Sequence, residues 1–308
     1  MARQNNVFLY GIIEKKPRIV LDKETHEPVS AIGYIHVVRG VREAHDGKKY
    51  MKHDHPLIVS LEPVVIKHMA EWDENDVVYI KGTIASKKMD KKSYCPNCVD
   101  DNGHPTENVA KGLLTYINPI FVKVMKKFPD KESALADVIK AREISNQVIV
   151  VGNLFAEPSY FKTKNGLIVS QYQIITNRKF RIRTDDPDVK TDWPWVKSYG
   201  EQAIEDRMRL KSGSCVIIDG FIQARKVNRK TKCKCCGKIY PWQDSTMELV
   251  PFETEYVQGT YKTDEDLQEE QGQKAEDIRN SLFNHLIKDE LTEDMNTDDI
   301  DTGESDEK

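Results

Sequence analysis

An internal duplication constrains this chain more than any other feature. Asn6-Val7-Phe8-Leu9-Tyr10-Gly11 is echoed by Gln147-Val148-Ile149-Val150-Val151-Gly152, and Val29-Ser30 by Val169-Ser170. Pro56 stands opposite Pro194, and Val78-Tyr79-Ile80-Lys81-Gly82 opposite Ile217-Ile218-Asp219-Gly220. The offsets stay between 138 and 141 residues, so landmarks keep their order and spacing across a whole unit. Two copies at so long a period describe a duplicated domain, because solenoid arrays repeat every 20–50 residues or so. The 308 residues fit the same division, at roughly 150 residues per domain.

Within the second unit, apolar or alternating runs broken by turn residues predict strands over 147–154, 167–177, 193–199, 215–224 and 248–257. A short helix over Glu201–Leu210 is closed by Lys211-Ser212-Gly213. Five strands with one helix between the third and fourth match the small Greek-key barrel called the OB-fold. The expected fold class is therefore all-β with minor α: two tandem five-stranded OB-fold barrels. The expected boundaries are 1–125 for the first barrel, 126–145 for a linking segment with a helix at Asp130–Lys140, 146–261 for the second barrel and 262–308 for a tail.

Charge divides at the same place. The chain carries 46 Lys and Arg against 50 Asp and Glu, a net of −4. Residues 264–308 hold 17 acids and four bases, a net of −13, which leaves +9 on residues 1–263. A basic body with an acidic tail points to a polyanionic partner. No run approaches the roughly 18 uncharged apolar residues of a membrane helix, and MARQNNVFLYG has no apolar core before a small-residue cleavage site. The expectation is a cytoplasmic protein whose six cysteines are metal ligands or free thiols rather than disulfides.

The run Asn146-Gln147-Val148-Ile149-Val150-Val151-Gly152-Asn153-Leu154, with Pro158 behind it, resembles the opening of bacterial single-stranded DNA-binding proteins. Thr191-Asp192-Trp193-Pro194-Trp195-Val196, then Tyr199-Gly200 and Lys211-Ser212-Gly213-Ser214, resemble the same family, as does Ile218-Asp219-Gly220-Phe221-Ile222-Gln223-Ala224-Arg225-Lys226. The likeness covers about 146–227 closely and 5–88 loosely. It implies a non-enzymatic, sequence-tolerant binder of single-stranded DNA in replication, recombination, repair or strand transfer. Relatives assemble four barrels, so it also implies a homodimer.

The residues support a binding surface on their own terms. Alternate residues of a strand share a face, so Trp193, Trp195, Lys197 and Tyr199 form one stripe while Pro194, Val196 and Ser198 take the other side. Rings stack on unpaired bases and a cation meets phosphate. The family places stacking residues at Trp193 and Tyr199 and an aromatic after the second strand, where Phe180 lies among Arg178, Lys179 and Arg181. Arg225 and Lys226 open a further basic cluster with Arg229, Lys230 and Lys232, and extend the electrostatic track. Val227 replaces the family's hairpin aromatic. In the first unit His55, Leu57, Val59 and Leu61 stand opposite the stripe, an apolar set expected in a core or interface. His53, His55 and His68 read as surface or core fillers. The working division is a DNA-binding second unit and a structural or pairing first unit.

Cys95-Pro96-Asn97-Cys98 and Cys233-Lys234-Cys235-Cys236-Gly237 fall in equivalent strand 4–5 loops, 134 residues apart. Cys95, Cys98, Cys233 and Cys236 could together hold one structural zinc, since two C-x-x-C halves make a tetrahedral four-cysteine site. Separate sites, completed by His104 and Cys235, and metal-free thiols are the other arrangements the spacing allows. Cys215 reads as core.

In the tail, Ile278, Leu282, Phe283 and Leu286 recur at helical spacing, so 276–287 is expected to be a short amphipathic helix. Residues 289–308 carry ten acids and one base. The family resemblance implies that 276–308 contend with DNA for the basic surface and recruit replication or recombination proteins, although the family's closing Pro-Phe is absent. The sequence contains no P-loop, Gly-x-Ser-x-Gly or His-Glu-x-x-His. Two other classes compete with the binder: a zinc-dependent nucleic-acid enzyme, and a zinc-stabilised adaptor that assembles replication proteins with little direct DNA contact.

Overall fold

The computed structural model describes residues 4–43, 49–99, 103–178, 182–184, 186, 188–261, 272–273 and 275–280. In the first repeat, β1 (Asn5–Ile12) is followed by β2 (Arg18–Leu21), β3 (Pro28–Tyr34), the hairpin β4 (Val37–Glu43) and β5 (Lys49–Asp54), β6 (Leu57–Ser60), α1 (Pro63–Ala70), β7 (Val77–Val99) and β8 (Pro105–Lys126). Helix α2 (Lys131–Lys140) then leads into β9 (Asn146–Leu154), β10 (Ser159–Lys162), β11 (Ile168–Asn177), β12 (Thr191–Asp192), β13 (Trp195–Tyr199), α3 (Glu201–Arg209), β14 (Cys215–Lys232) and β15 (Ile239–Gln258). Asp130 caps α2 by accepting from the Ser133 backbone N–H at 2.8 Å, as an Asp just before a helix should.

The second repeat closes on itself. The strands pair in the order β9, β11, β13, β15, β14 and back to β9, with β13 and β15 parallel. The first repeat runs β1, β7, β8, β6, β3, with β6 and β8 parallel, and closes through an Ile12–His36 bridge. This is the expected five-stranded barrel twice over. The opening strands β1 and β9 then pair antiparallel, from Asn5 against Val150 to Leu9 against Asn146, and join both barrels in one sheet. Val7, Leu9, Ile80 and Ile117 of one repeat share a continuous core with Val148, Val150, Ile218 and Leu249 of the other. Each such side chain contributes roughly 1.5–3 kcal/mol on burial, so the repeats fold as one body. Met1–Thr260 forms that unit, and Tyr261–Lys308 a second.

The duplication extends to single hydrogen bonds. Asn5 donates from Nδ2 to the Ile84 carbonyl and accepts from the Ile84 N–H, at 2.9 and 2.8 Å. Asn146 does the same with Ile222, at 2.8 and 2.9 Å. Arg39 pairs with Asp54, which accepts from the Ala224 N–H of the opposite repeat at 2.9 Å. In turn Arg178 pairs with Asp192, which accepts from the Ser86 N–H at 2.7 Å. These reciprocal contacts make the chain a pseudo-dimer around β1 and β9.

The fourth strands run well past the barrels. β7–β8 and β14–β15 form two long ribbon arms, each bulged between Lys81 and Gly82 or between Asp219 and Gly220. A Cβ on Gly82 would lie 2.6 Å from the Asn118 carbonyl oxygen, and one on Gly220 2.2 Å from that of Val250. Only glycine lets the strands cross so closely at the bend. The sequence underpredicted both strands of the second arm, since 215–224 continues to Lys232 and 248–257 begins at Ile239. Their outer halves carry few aliphatic side chains among charged and polar residues, so no regular apolar alternation marks them as strand. Residues 275–280 of the tail are helical and exposed; the remainder of the expected 276–287 helix and the acidic end lie outside the described residues.

Candidate nucleic-acid interface

The stripe has the expected polarity. Trp193, Trp195 and Tyr199 are half-buried, while Pro194, Val196 and Ser198 are buried. Trp193 lies just before β13, its N–H donating to Ser86 Oγ at 2.9 Å and its carbonyl accepting from Gln173 Nε2 at 2.8 Å. Lys197 departs from the expectation: it is 8% exposed, with Nζ 5.5 Å from the centre of the Phe161 ring. Burial pulls its ammonium below the usual value, and little of Lys197 is open to solvent. Burial likewise raises the Tyr199 hydroxyl.

Trp193 and Trp195 open onto different hollows. Trp193 lines a cavity of about 370 Å³ with Lys87, Lys88 and Tyr116. Trp195 lines a larger one, about 690 Å³, between the two arms. Arg225, Lys226, Arg229 and Lys230 supply its positive charge, and Trp242 from β15 adds a second indole. Arg225 is held in a two-pronged pair by the buried Glu248 at 2.9 and 2.8 Å, and Arg229 by Asp244 at 2.8 Å. These carboxylates fix where the guanidiniums point; Lys226 is exposed.

Three expectations need correcting. Arg178 is not a surface cation: Asp192 takes its Nε and Nη2, and the Val189 carbonyl accepts from Nη1 at 2.9 Å, with the guanidinium buried. It is half of the duplicated strut, visible in advance in the matched positions of Arg39 and Asp54. Next, Leu57, Val59 and Leu61 are half-exposed and not core, which leaves the interface alternative, and Ile58 and Ser60 face inward instead. Leu57 lines the large cavity beside Tyr34 and His55, so the first repeat shapes the same groove as the second. Finally, Cys95 and Cys98 lie on β7 rather than in a loop. Phe180, Lys179 and Arg181 lie outside the described residues.

Sequence reasoning missed Tyr34 and Trp242. The first pairs with Leu57 where Gln173 pairs with Trp195 in the second repeat, so the aromatic has moved one strand over. Trp242 faces Arg229 across the hairpin, its Nε1 donating to Thr231 Oγ1 at 2.8 Å. It restores an aromatic to the arm on the strand opposite Val227. The histidines also gather: His36 Nε2 is 2.8 Å from His53 Nδ1, and Glu14 meets His36 and His55 at 2.8 and 3.4 Å.

The four cysteines converge where the arms end. The sulfurs of Cys95, Cys98, Cys233 and Cys236 all lie within 4.8 Å of one another. The N–H groups of Cys236 and Cys235, the former foremost, hold the Cys233 thiol down to about 6.

The second barrel and the tandem fold each resemble known proteins. The model of the Single-strand binding protein family matches residues 145–235. The second barrel is thus similar to that family. A single-stranded DNA-binding protein of Neisseria meningitidis is 29% identical over 85 residues, 28% of this chain and 49% of that protein. The chain thus spans about half the length of this curated relative. Two crystal structures of the single-stranded DNA-binding protein from Thermus aquaticus superpose over both repeats. A deletion variant gives a TM-score of 0.53 at 14% identity, covering 86% of this chain and all of that one. The wild type gives 0.52 at 15%, covering 85% and 98%. At such identity the likeness is one of fold alone, and it spans both barrels. Among the described residues, no helix is long and apolar enough to cross a membrane.

Proposed function

We propose that the chain binds single-stranded DNA without sequence preference and without catalysis, in the groove between its two arms. The observation that carries this reading is the composition of the groove: Trp195, Trp242 and Tyr34 among Arg225, Lys226, Arg229 and Lys230. Aromatic faces accept any base, and the cations track phosphates. The match of residues 145–235 to the single-strand binding family supports the same activity, and the adaptor alternative has no comparable observation behind it. Trp193, with Lys87 and Lys88, offers the strand a second platform beside Asp192. Phe180, Lys179 and Arg181, outside the described residues, would add a further ring and two cations for the strand. Both barrels contribute to the groove, which revises the division of labour between repeats. The chain acts as a homodimer of tandem barrels, with residues 276–308 recruiting replication or recombination proteins.

Trp fluorescence tests this directly. Of the four tryptophans, Trp72 is buried in the core and supplies a constant background. Titration with oligo-dT should quench the other three strongly, and raised salt should weaken the effect as counterion release requires. Absence of quenching by oligo-dT at low salt, or equal affinity for duplex, would overturn the reading.

A further inference from the structure

We propose that Cys95, Cys98, Cys233 and Cys236 bind one structural zinc ion that fastens the tips of the two arms to each other. The geometry suits a single ion. Cys95 and Cys236 sulfurs are 3.7 Å apart, and those of Cys98 and Cys233 are 3.4 Å apart. A tetrahedral ion with zinc–sulfur bonds of about 2.3 Å places its ligands roughly 3.8 Å from each other. Both separations are far beyond the ~2.0 Å of a disulfide bond. Each close pair takes one sulfur from each arm, so the site is complete only when the repeats come together.

The surroundings are built for thiolate. The Asn97 N–H points at Cys95 Sγ at 3.4 Å, and Asn108 Nδ2 at Cys233 Sγ at 3.6 Å. Asn108 is itself buried and oriented, since its Oδ1 accepts from the Lys234 N–H at 2.9 Å. Such outer donors fix ligands and balance their charge. Gly237 takes φ = +71°, and its N–H returns to the Cys233 carbonyl at 3.1 Å, so the chain turns back immediately behind Cys236. A side chain there would strain the knuckle.

The arms also need a fastener. A two-stranded ribbon alone is marginal in water. At their ends the apolar cluster consists of Cys95, Cys233 and Tyr240, with Cys98 and Trp242 packed against it. Cysteines occupy the places where a core would carry aliphatic side chains. Below them, Lys91 reaches from one arm to Asp244 of the other at 2.7 Å, and Ser93 Oγ meets the Tyr240 hydroxyl at 2.8 Å. The ion would complete this seam above the groove. Four protein ligands leave no open coordination position, so the role is structural and not catalytic. Binding releases the remaining thiol protons to solvent and involves no change of oxidation state.

Metal analysis of the full-length protein, purified under reducing conditions without chelator, should find one zinc per chain. Cys98→Ser and Cys236→Ser, one on each arm, should each lose the whole of it. Cys235→Ser and Cys215→Ser should retain it, because neither sulfur belongs to the cluster. Two ions per chain, or half the metal kept in either single-arm variant, would mean separate sites and overturn the proposal. A sample without metal is reduced and titrated with Co2+ in place of zinc. The visible absorption of a tetrahedral tetrathiolate complex saturating at one equivalent supports the site, and absence of uptake overturns it. None of these measurements involves DNA, so the outcome stands apart from the reading of the groove. Circular dichroism of each variant separates loss of metal from loss of fold.

Discussion

Arg39, Asp54 and Ala224 repeat the geometry of Arg178, Asp192 and Ser86 almost atom for atom, whereas Tyr34 and Leu57 hold the places of Gln173 and Trp195. The first set lies where each repeat grips the other, and the second faces the groove. A buried carboxylate with a guanidinium and a backbone N–H as partners tolerates little change, because removing any one strands the others away from water. A groove wall is constrained only by what it must touch. The two barrels therefore stayed alike at their seam and diverged on the surface they share, one keeping an indole and the other a phenol beside leucine.

The largest effect should come from breaking that likeness. Arg178→Ala leaves Asp192 charged and buried, and Arg39→Ala does the same to Asp54; each should cost about 3–5 kcal/mol of stability in urea denaturation. Near-equal losses would confirm that the pairs are equivalent struts. If Arg178→Ala instead preserved stability and weakened DNA binding, Arg178 would return to the interface.

Acid should separate the barrels next. Burial depresses His36 of the first barrel from 6.5 to about 4, with Glu14 opposing. The folded state there binds fewer protons than the unfolded chain. His36 therefore contributes stability above pH 6.5 that is lost progressively as pH falls toward 4, on the order of 3 kcal/mol at most. Asp206 of the second barrel has the opposite sign. Burial raises it from 3.8 to about 6 although Ser198, Tyr256 and Gln202 donate to it, so stability increases as pH falls from 6 toward 3.8. Urea midpoints between pH 7 and 4.5 should fall less steeply for His36→Gln than for the unmodified chain, and more steeply for Asp206→Asn. Parallel curves would remove both assignments.

How far the sequence could be read follows the same division. The barrels were legible because strand spacing, Gly213 and the repeated landmarks each record a local demand of the backbone. The Trp193–Tyr199 stripe was legible because a strand alternates. Lys197 was misread because alternation gives a face and not what covers it, and Phe161 comes from β10. Arg178 was misread as part of a basic run when its partner lay 14 residues downstream. Trp242 was hidden because the outer arm, whose small buried cluster is made of cysteines and Tyr240, lacks a regular apolar alternation. Convergence of the cysteines was one of the arrangements the two C-x-x-C spacings allowed, but choosing among them depends on how β1 meets β9, a tertiary fact that the 134-residue gap does not show.

In the groove, Trp195→Ala and Trp193→Ala should each cost about 1–3 kcal/mol of oligo-dT affinity, the range for one stacked base. Tyr34→Ala should cost a comparable amount if the first barrel's wall stacks as well, and His55→Ala little. Anisotropy titrations of the four variants, with urea denaturation to exclude unfolding, decide between one stacking wall and two. An effect of Tyr34→Ala as small as that of His55→Ala would return the first barrel to a purely structural part.

The smallest change should come from the tail. Residues 264–308 carry −13 against the +9 of the body, and both the tail and a single strand are polyanions. If the tail contends for the groove, a chain ending at residue 263 should bind oligo-dT more tightly at low salt. The gain should vanish at high salt, where the Debye length of about 3 Å at 1 M screens both competitors. It should also shrink in Arg225→Ala and Lys226→Ala variants, which weaken the surface under contention, and persist in Trp195→Ala, which alters stacking and not charge. A gain of the same size in all three variants would place the tail's contact elsewhere on the basic body. No gain at all would make the tail's charge irrelevant to binding.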